Sequence, residues 1–186
     1  YFYEEVLGLR FKVSPFSFFQ TNTKGAEVLY TIAREFAGNK GDGKVVFDLY
    51  SGTGTIGQLM AKTAKKVYGI ELIEEAVVAA NQNAGLNNLD NCEFIAGDVA
   101  KLVTSLPEKP DLIIVDPPRA GILANGVKDI AEFGAGEIVY VSCNPKSLVE
   151  NVVEFESRGY KLDKLKLMDM FPSGPHCESV ALLIKQ

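Results

Sequence analysis

Short, fully apolar runs alternate along this chain with stretches whose apolar residues recur every three or four positions. The runs at 45–49, 67–71, 92–96, 112–115 and 138–142 read as strands. The stretches between them, at 55–64, 74–86, 98–105 and 124–133, read as helices. A helix at 146–158 follows, then strands near 161–170 and 178–185. Such alternation, with strands apolar on both faces, predicts a parallel sheet covered by helices on both sides. The Pro/Gly turn Phe171-Pro172-Ser173-Gly174-Pro175 joins the last two strands and predicts an antiparallel pair. Ahead of this pattern, residues 1–14 alternate around Gly8 as a hairpin, which Pro15 ends. The aromatic segment Phe16-Ser17-Phe18-Phe19-Gln20 leads to a helix at 24–37 capped by Thr21 or Asn22. Ala26, Leu29, Tyr30, Ala33 and Ala37 form its inward face, and Gly38-Asn39-Lys40-Gly41-Asp42-Gly43 is a loop.

Composition narrows the class. With 186 residues, 47% of them hydrophobic and 23% charged, the chain suits one domain with a substantial core. No apolar run approaches the ~20 residues of a membrane span, and the start lacks a basic region followed by an apolar one. Cys92, Cys143 and Cys177 are odd in number and far apart, which predicts reduced thiols and a cytoplasmic setting. A net charge of −5 argues against a broad basic face gripping nucleic acid. The chain starts without Met inside a strand-like pattern, so a piece of a longer protein, or a trimmed one, is expected.

The turn Asp48-Leu49-Tyr50-Ser51-Gly52-Thr53-Gly54-Thr55 follows the first strand of the alternating region and opens a helix. Glycines there let backbone approach a ligand, and the helix start offers free N–H groups. Glu71 ends the second strand, where a carboxylate can accept both hydroxyls of a ribose. Asp98 follows the third strand, within reach of an adenine amino group, and Asp116-Pro117-Pro118-Arg119 ends the fourth. Gly52-x-Gly54-x-x-Gly57 with a later acid suits a dinucleotide. The same loop preceded by Asp48 suits S-adenosylmethionine, whose ammonium end an acid can face, and this is the favoured reading.

The run Ile138-Val139-Tyr140-Val141 ends in Ser142-Cys143-Asn144-Pro145, which delivers a thiol to a strand tip with Pro145 opening the next helix. Ligands of open α/β sheets bind at such tips, so Cys143 is a candidate nucleophile. Asp116 with Arg119, and Glu178 at the start of the last strand, are the other candidate chemical groups. A thiol, a carboxylate and a methyl donor suggest addition to C6 of a pyrimidine, methylation at C5 and removal of the C5 proton. Blander readings stand beside these. A single buried cysteine is most often core, and Cys92 is read so. Glu178 could be a solvated charge, Gln20 a helix-approach residue, and Asp116-Pro117-Pro118 a rigid turn. Lys146 and Arg158 fit a solvated helix face. His176 is the only histidine, which argues against a Ser–His–Asp triad or a His-rich metal centre. A zinc site from Cys143, His176 and Cys177 lacks paired ligand spacing, so no metal is assigned.

Taken together, Ser14-Pro15-x-Ser17-Phe18-Phe19-Gln20-x-Asn22, Asp48-Leu49-Tyr50-Ser51-Gly52-x-Gly54, Asp116-Pro117-Pro118-Arg119-x-Gly121, Val141-Ser142-Cys143-Asn144-Pro145 and His176-Cys177-Glu178-Ser179-Val180 carry a resemblance over nearly the whole chain. The sequence resembles the S-adenosylmethionine-dependent RNA uracil-5-methyltransferases of bacterial ribosomal RNA and tRNA. The resemblance implies a Rossmann-like α/β methyltransferase fold, with a mostly parallel seven-stranded sheet and an antiparallel last strand. It implies that Gln20, Tyr50, Gly52, Thr55, Glu71, Asp98 and Asp116 line the cofactor site, with Thr55 at a position that varies in the family. Cys143 would be the nucleophile, Glu178 the proton-abstracting base, and Arg119 and Asn144 supports. Such enzymes carry a small β-barrel RNA-binding domain and a β-rich central segment before the catalytic domain, and some hold an iron–sulfur cluster there. Residues 1–20 would then be a hairpin remnant of the central segment and 21–186 the catalytic domain. The implied partner is RNA, held mainly by that N-terminal region, and the implied state is a monomer. Three rivals stay open. An exocyclic-amine methyltransferase would use Asp116-Pro117-Pro118, although Arg119 stands where an aromatic is expected. The others are an NAD-dependent oxidoreductase and a cofactor-binding scaffold without chemistry.

Overall fold

The computed structural model describes residues 1–14, 18–38, 43–102, 106–123, 125–172 and 174–186. A hairpin of β1 (Phe2–Val6) and β2 (Leu9–Val13) precedes helix α1 (Thr23–Ala37). The alternating region follows as β3 (Val45–Leu49), α2 (Thr55–Met60), β4 (Lys66–Glu71), α3 (Glu74–Leu86), β5 (Cys92–Ala96), α4 (Val99–Leu102) and β6 (Leu112–Val115). The chain closes with α5 (Gly126–Glu132), β7 (Glu137–Ser142), α6 (Pro145–Glu156), β8 (Tyr160–Met168) and β9 (Glu178–Lys185). Among the described residues no helix is long and apolar enough to cross a membrane.

The seven-stranded sheet has the order β5-β4-β3-β6-β7-β9-β8. β3 to β7 pair in parallel, while β9 lies antiparallel between β7 and β8. This is the Rossmann-like architecture expected, with the antiparallel last strand where the Pro/Gly turn put it. The chain runs outward from β3 to β5 and returns to place β6 against β3. Open α/β sheets bind ligands at such a reversal, outside the carboxyl ends of the strands.

Each strand alternates its side chains between two cores. Val46, Val67, Ile114, Val139, Val141, Val180 and Leu182 pack with α1, α2 and the hairpin residues Val6, Phe11 and Val13. Phe47, Ile70, Ile113, Val115, Ile138, Tyr140 and Ala181 pack on the other side with Val127 and Ile130 of α5 and Leu148 and Phe155 of α6. The α1 stripe Ala26, Leu29, Tyr30, Ala33 and Ala37 is buried as its spacing predicts. Asn22, rather than Thr21, caps this helix, accepting the Gly25 N–H at 3.0 Å.

The differences lie at element ends. α2 stops at Met60 rather than 64, because Asn91 Nδ2 donates to the Ala61 and Ala64 carbonyls at 2.8 and 3.0 Å and turns the chain toward β4. α5 runs from Gly126 to Glu132, and position 124, where a helix start was expected, lies outside the described residues. α6 starts one residue early, with Pro145 at its first position, and ends at Glu156. α4 is observed over Val99–Leu102; the rest of the helix read at 98–105 lies outside the described residues, as do Pro15 to Ser17, much of the loop after Gly38, and Ser173.

Candidate active site

The two-core alternation decides where the chemical groups point. Val46, Ile114, Val141 and Val180 all face α1. Two residues further along, or two earlier on the antiparallel strand, come Asp48, Asp116, Cys143 and Glu178, which the period of two carries to that same face. Parallel β3, β6 and β7 deliver three of these groups at their carboxyl ends, and β9 brings Glu178 in at its amino end. The β7–β9 register runs through Val141↔Val180 and Ser142↔Ser179, so its next step sets Cys143 against Glu178. β6 pairs with β7 at Val115↔Tyr140, which sets Asp116 abreast of Val141, one pleat below the thiol. Tyr30 of α1 covers this face and feels the charges of Asp116, Asp48 and Glu178.

Crowding acids at the rim of a core raises their proton affinity. Burial, with Glu71 nearby, pushes Asp48 up to about 7, against the pull of its hydrogen bond from Gly57. Asp116 reaches about 7 through desolvation first, then Glu178 and Asp48. Glu178 is raised by burial and drawn back by the Arg119 guanidinium. The half-buried Cys143 thiol is raised by desolvation, then by Glu178 and Asp116, and lowered by Arg119. Arg119 is itself held through Nη2, 3.1 Å from His176 Nδ1.

The β3–α2 turn is built around three glycines with different duties. A Cβ on Gly57 would lie 2.7 Å from Asp48 Oδ2, and one on Gly54 (φ +75°) 2.6 Å from the Phe94 ring. A Cβ on Gly52 (φ +52°) would meet nothing within 4 Å. Only Gly52 of the three therefore borders open space. Glu71 links this turn to the next strand tip: Oε2 accepts the Gly52 N–H at 2.9 Å and Oε1 the Ile73 N–H at 3.0 Å. The Glu71 carbonyl accepts the Gly97 N–H at 2.8 Å, which fixes the approach to Asp98. Tyr50, with φ +61°, is half-buried and feels the charge of Asp98. Thr55 is buried at the first position of α2. Leu72 and Ile73, exposed beside Glu71, form an apolar shelf that motif reading did not single out.

This constellation can be tested against the two cofactors the sequence admitted. A diphosphate needs free N–H groups at the start of α2. There the Gly57 N–H is taken by Asp48 at 2.9 Å, the Gly52 N–H by Glu71, and Phe94 closes the space above Gly54. A cationic ligand meets the opposite situation, since the carboxyl ends of β3, β4, β5 and β6 carry Asp48, Glu71, Asp98 and Asp116. Ser51 Oγ is buried in the same turn without a hydrogen-bond partner. The residues present thus fit a cationic sulfonium cofactor better than a dinucleotide.

Among the remaining sequence candidates, Gln20 is partly buried two residues before Asn22, whose Nδ2 donates to the Met170 carbonyl at 2.7 Å. That bond brings the approach to α1 against the β8–β9 connection. Cys92 is partly exposed, packs beside Phe94 and the α3 core, and is pushed up to about 12 by burial. Arg158 pairs with Glu154 one turn earlier on α6. Among the described residues no group of three or more His, Cys, Asp or Glu side chains is placed to hold a metal ion. Tyr30 and Asn151 were missed as site residues; each reads locally as a member of a helix's buried face.

Comparison with known proteins supplies the remaining findings. Residues 7–186 match the family model tRNA (Uracil-5-)-methyltransferase. An uncharacterized RNA methyltransferase of Clostridium tetani is 58% identical over 97% of this chain and 39% of its own length. One from Caldanaerobacter subterraneus is 54% identical over 100% of this chain and 41% of its own length. The chain thus spans about two-fifths of the curated relatives it matches. The crystal structure of Pyrococcus abyssi tRNA (uracil-54, C5)-methyltransferase in complex with S-adenosyl-L-homocysteine superposes with a TM-score of 0.83 at 34% identity, covering 98% of this chain and 44% of that one.

Proposed function

The chain belongs to the tRNA (uracil-5-)-methyltransferase family, and from that premise we propose that it methylates C5 of a uracil in RNA through a covalent adduct of Cys143 with C6. The observation that carries this reading is the β7–β9 register, which, carried one step past Ser142↔Ser179, brings the Cys143 thiol opposite the buried Glu178 carboxylate. The P. abyssi relative, a tRNA (uracil-54, C5)-methyltransferase, supports uracil as the base. Gln20, Tyr50, Gly52, Thr55, Glu71, Asp98 and Asp116 hold S-adenosylmethionine, with Leu72 and Ile73 as an apolar shelf. When bound, the cofactor supplies an electrophilic methyl group.

The remaining chemistry belongs to the protein. The Cys143 thiolate forms the S–C6 bond, and the pair of electrons from the C5–C6 double bond moves onto C5 and the C4 carbonyl oxygen, making C5 nucleophilic. Once C5 carries the methyl group, Glu178 takes its remaining proton. The electrons left behind restore the C5–C6 double bond and expel the thiolate. Arg119 stabilises the anionic forms of both groups. Residues 21–186 constitute the catalytic domain, residues 1–20 are a hairpin from a central segment, and the protein acts as a monomer. With a net charge of −5, this domain needs other surface of the longer enzyme for most of its hold on RNA.

The test is trapping. Fluorine at C5 cannot leave as a proton does, so 5-fluorouracil-containing RNA with S-adenosylmethionine should accumulate a protein–RNA adduct stable to denaturing gels. Offering tRNA and ribosomal RNA separately identifies the substrate. An undiminished adduct in Cys143→Ala removes Cys143 from the nucleophile role.

A further inference from the structure

Three polar side chains of α6 share one stripe: Asn144 at the N-cap, Ser147 three residues on and Asn151 four beyond that. Every one of them grips the backbone of the turn that follows β6. Asn144 Nδ2 donates to the Arg119 carbonyl at 3.0 Å, and Ser147 Oγ shares its one proton between that oxygen at 3.3 Å and the Asn144 carbonyl at 3.0 Å, bridging the two. Asn151 Oδ1 accepts the Ile122 N–H at 2.9 Å, and its Nδ2 donates to the Ile122 carbonyl at 3.0 Å. Tyr140 of β7 also donates its hydroxyl to Oδ1 at 2.8 Å, beside the two bonds by which the amide holds Ile122. The fit is close: a Cβ on Gly121 (φ +79°) would lie 2.8 Å from Asn151 Oδ1 and from Ser147 Cβ. Ser147 and Asn151 are both buried.

Cys143 directly precedes Asn144, so this stripe joins the carrier of the thiol to the backbone of Arg119. We infer that Asn144, Ser147 and Asn151 form a positioning device that fixes the Arg119 guanidinium relative to Cys143 and Glu178. The inference rests on Cys143 being the nucleophile of the proposed reaction. Arg119 needs such anchoring because its side chain is exposed and its tip is held, among the described residues, by one exposed contact, with His176. Within its effect on the crevice, the guanidinium opposes the burial of both the thiol and the carboxylate. The stripe thereby sets how much thiolate is present, and thiolate is the species that attacks carbon.

The experiment is alkylation of Cys143 by iodoacetamide across pH in the full 186-residue chain, without RNA or cofactor, with the Cys143 peptide quantified by mass spectrometry. In Ser147→Ala and Asn151→Ala the rate near neutral pH should fall roughly 3- to 10-fold, as expected for a thiol titrating up to one unit higher. The plateau at high pH should be unchanged. Tyr140→Phe loses a hydrogen bond of the same buried network without touching the turn, and its profile should stay in place. In an Arg119→Ala background, Ser147→Ala should add no further shift. An unmoved profile in Ser147→Ala, an equal shift in Tyr140→Phe, or a full further shift in the Arg119→Ala background would each overturn the inference. Should Asn151→Ala fail to fold, Ser147→Ala decides, since only a hydroxyl is lost. These outcomes are separate from the fluorouracil adduct, which tests the nucleophile itself.

Discussion

Glu178 is only 7% exposed and stands in register with Cys143, so its carboxylate can serve as the base without bulk water competing. Burial raises its proton affinity and strengthens it as a base, while the Arg119 guanidinium draws that affinity back down. Glu178→Gln should therefore permit thiol addition and methyl transfer but stall at removal of the C5 proton. Adduct should build up on ordinary uracil RNA, with turnover reduced about 100-fold or more; rapid turnover on a gel-based release assay would assign the proton to another base. The two residues differ in how far the chain betrays them. Cys143 was legible because an apolar strand stops abruptly at Ser-Cys-Asn-Pro. Glu178 was legible only as a carboxylate at a strand start, since its partner lies 35 positions earlier and meets it through antiparallel pairing. Tyr30 was counted as one more member of a buried helical stripe, and only the packed sheet reveals the three carboxyl groups around it.

At the level of elements, the β3–α2 turn separates ligand binding from packing within a few residues. Gly54→Ala combines a left-handed backbone with a collision against Phe94, and should cost about 2–5 kcal/mol of stability. Gly52→Ala faces open space and should cost only about 1–2 kcal/mol, yet its methyl group would intrude where a ligand lies. Chemical denaturation and calorimetric titration with S-adenosylhomocysteine should thus rank the two variants in opposite orders, and equal losses in both measurements would refute that division. Motif reading could place the Gly52-x-Gly54-x-x-Gly57 loop but could not allot these duties, because Phe94 comes from β5, two strands away in the sheet. The strands at 45–49, 92–96 and 112–115 and the helix at 74–86 were readable from period alone. Helix ends were not: the stop of α2 depends on Asn91, a residue 30 positions beyond the carbonyl it captures.

For the molecule as a whole, one edge of the sheet concentrates acidic groups that folding forces together. Asp48 and Asp116 move from about 3.8 in the unfolded chain to about 7 in the folded one. Between those values the folded state binds more protons than the unfolded state, so stability must fall as pH rises through that window. Below the window both states are protonated at these groups, and the stabilising contribution is complete. The ligand-free protein should accordingly melt at a lower temperature at pH 8 than at pH 5. Asp48→Asn, which can still accept the Gly57 N–H, should flatten the slope and raise the melting temperature at pH 8. Binding a cation reverses the effect, since a positive charge beside these carboxylates favours their ionised forms. S-adenosylmethionine should bind more tightly at pH 8 than at pH 6, releasing protons that calorimetry in two buffers of different ionisation enthalpy would count. A pH-independent affinity with no proton release would mean that the cofactor does not rest against the acidic edge that β3 and β6 build.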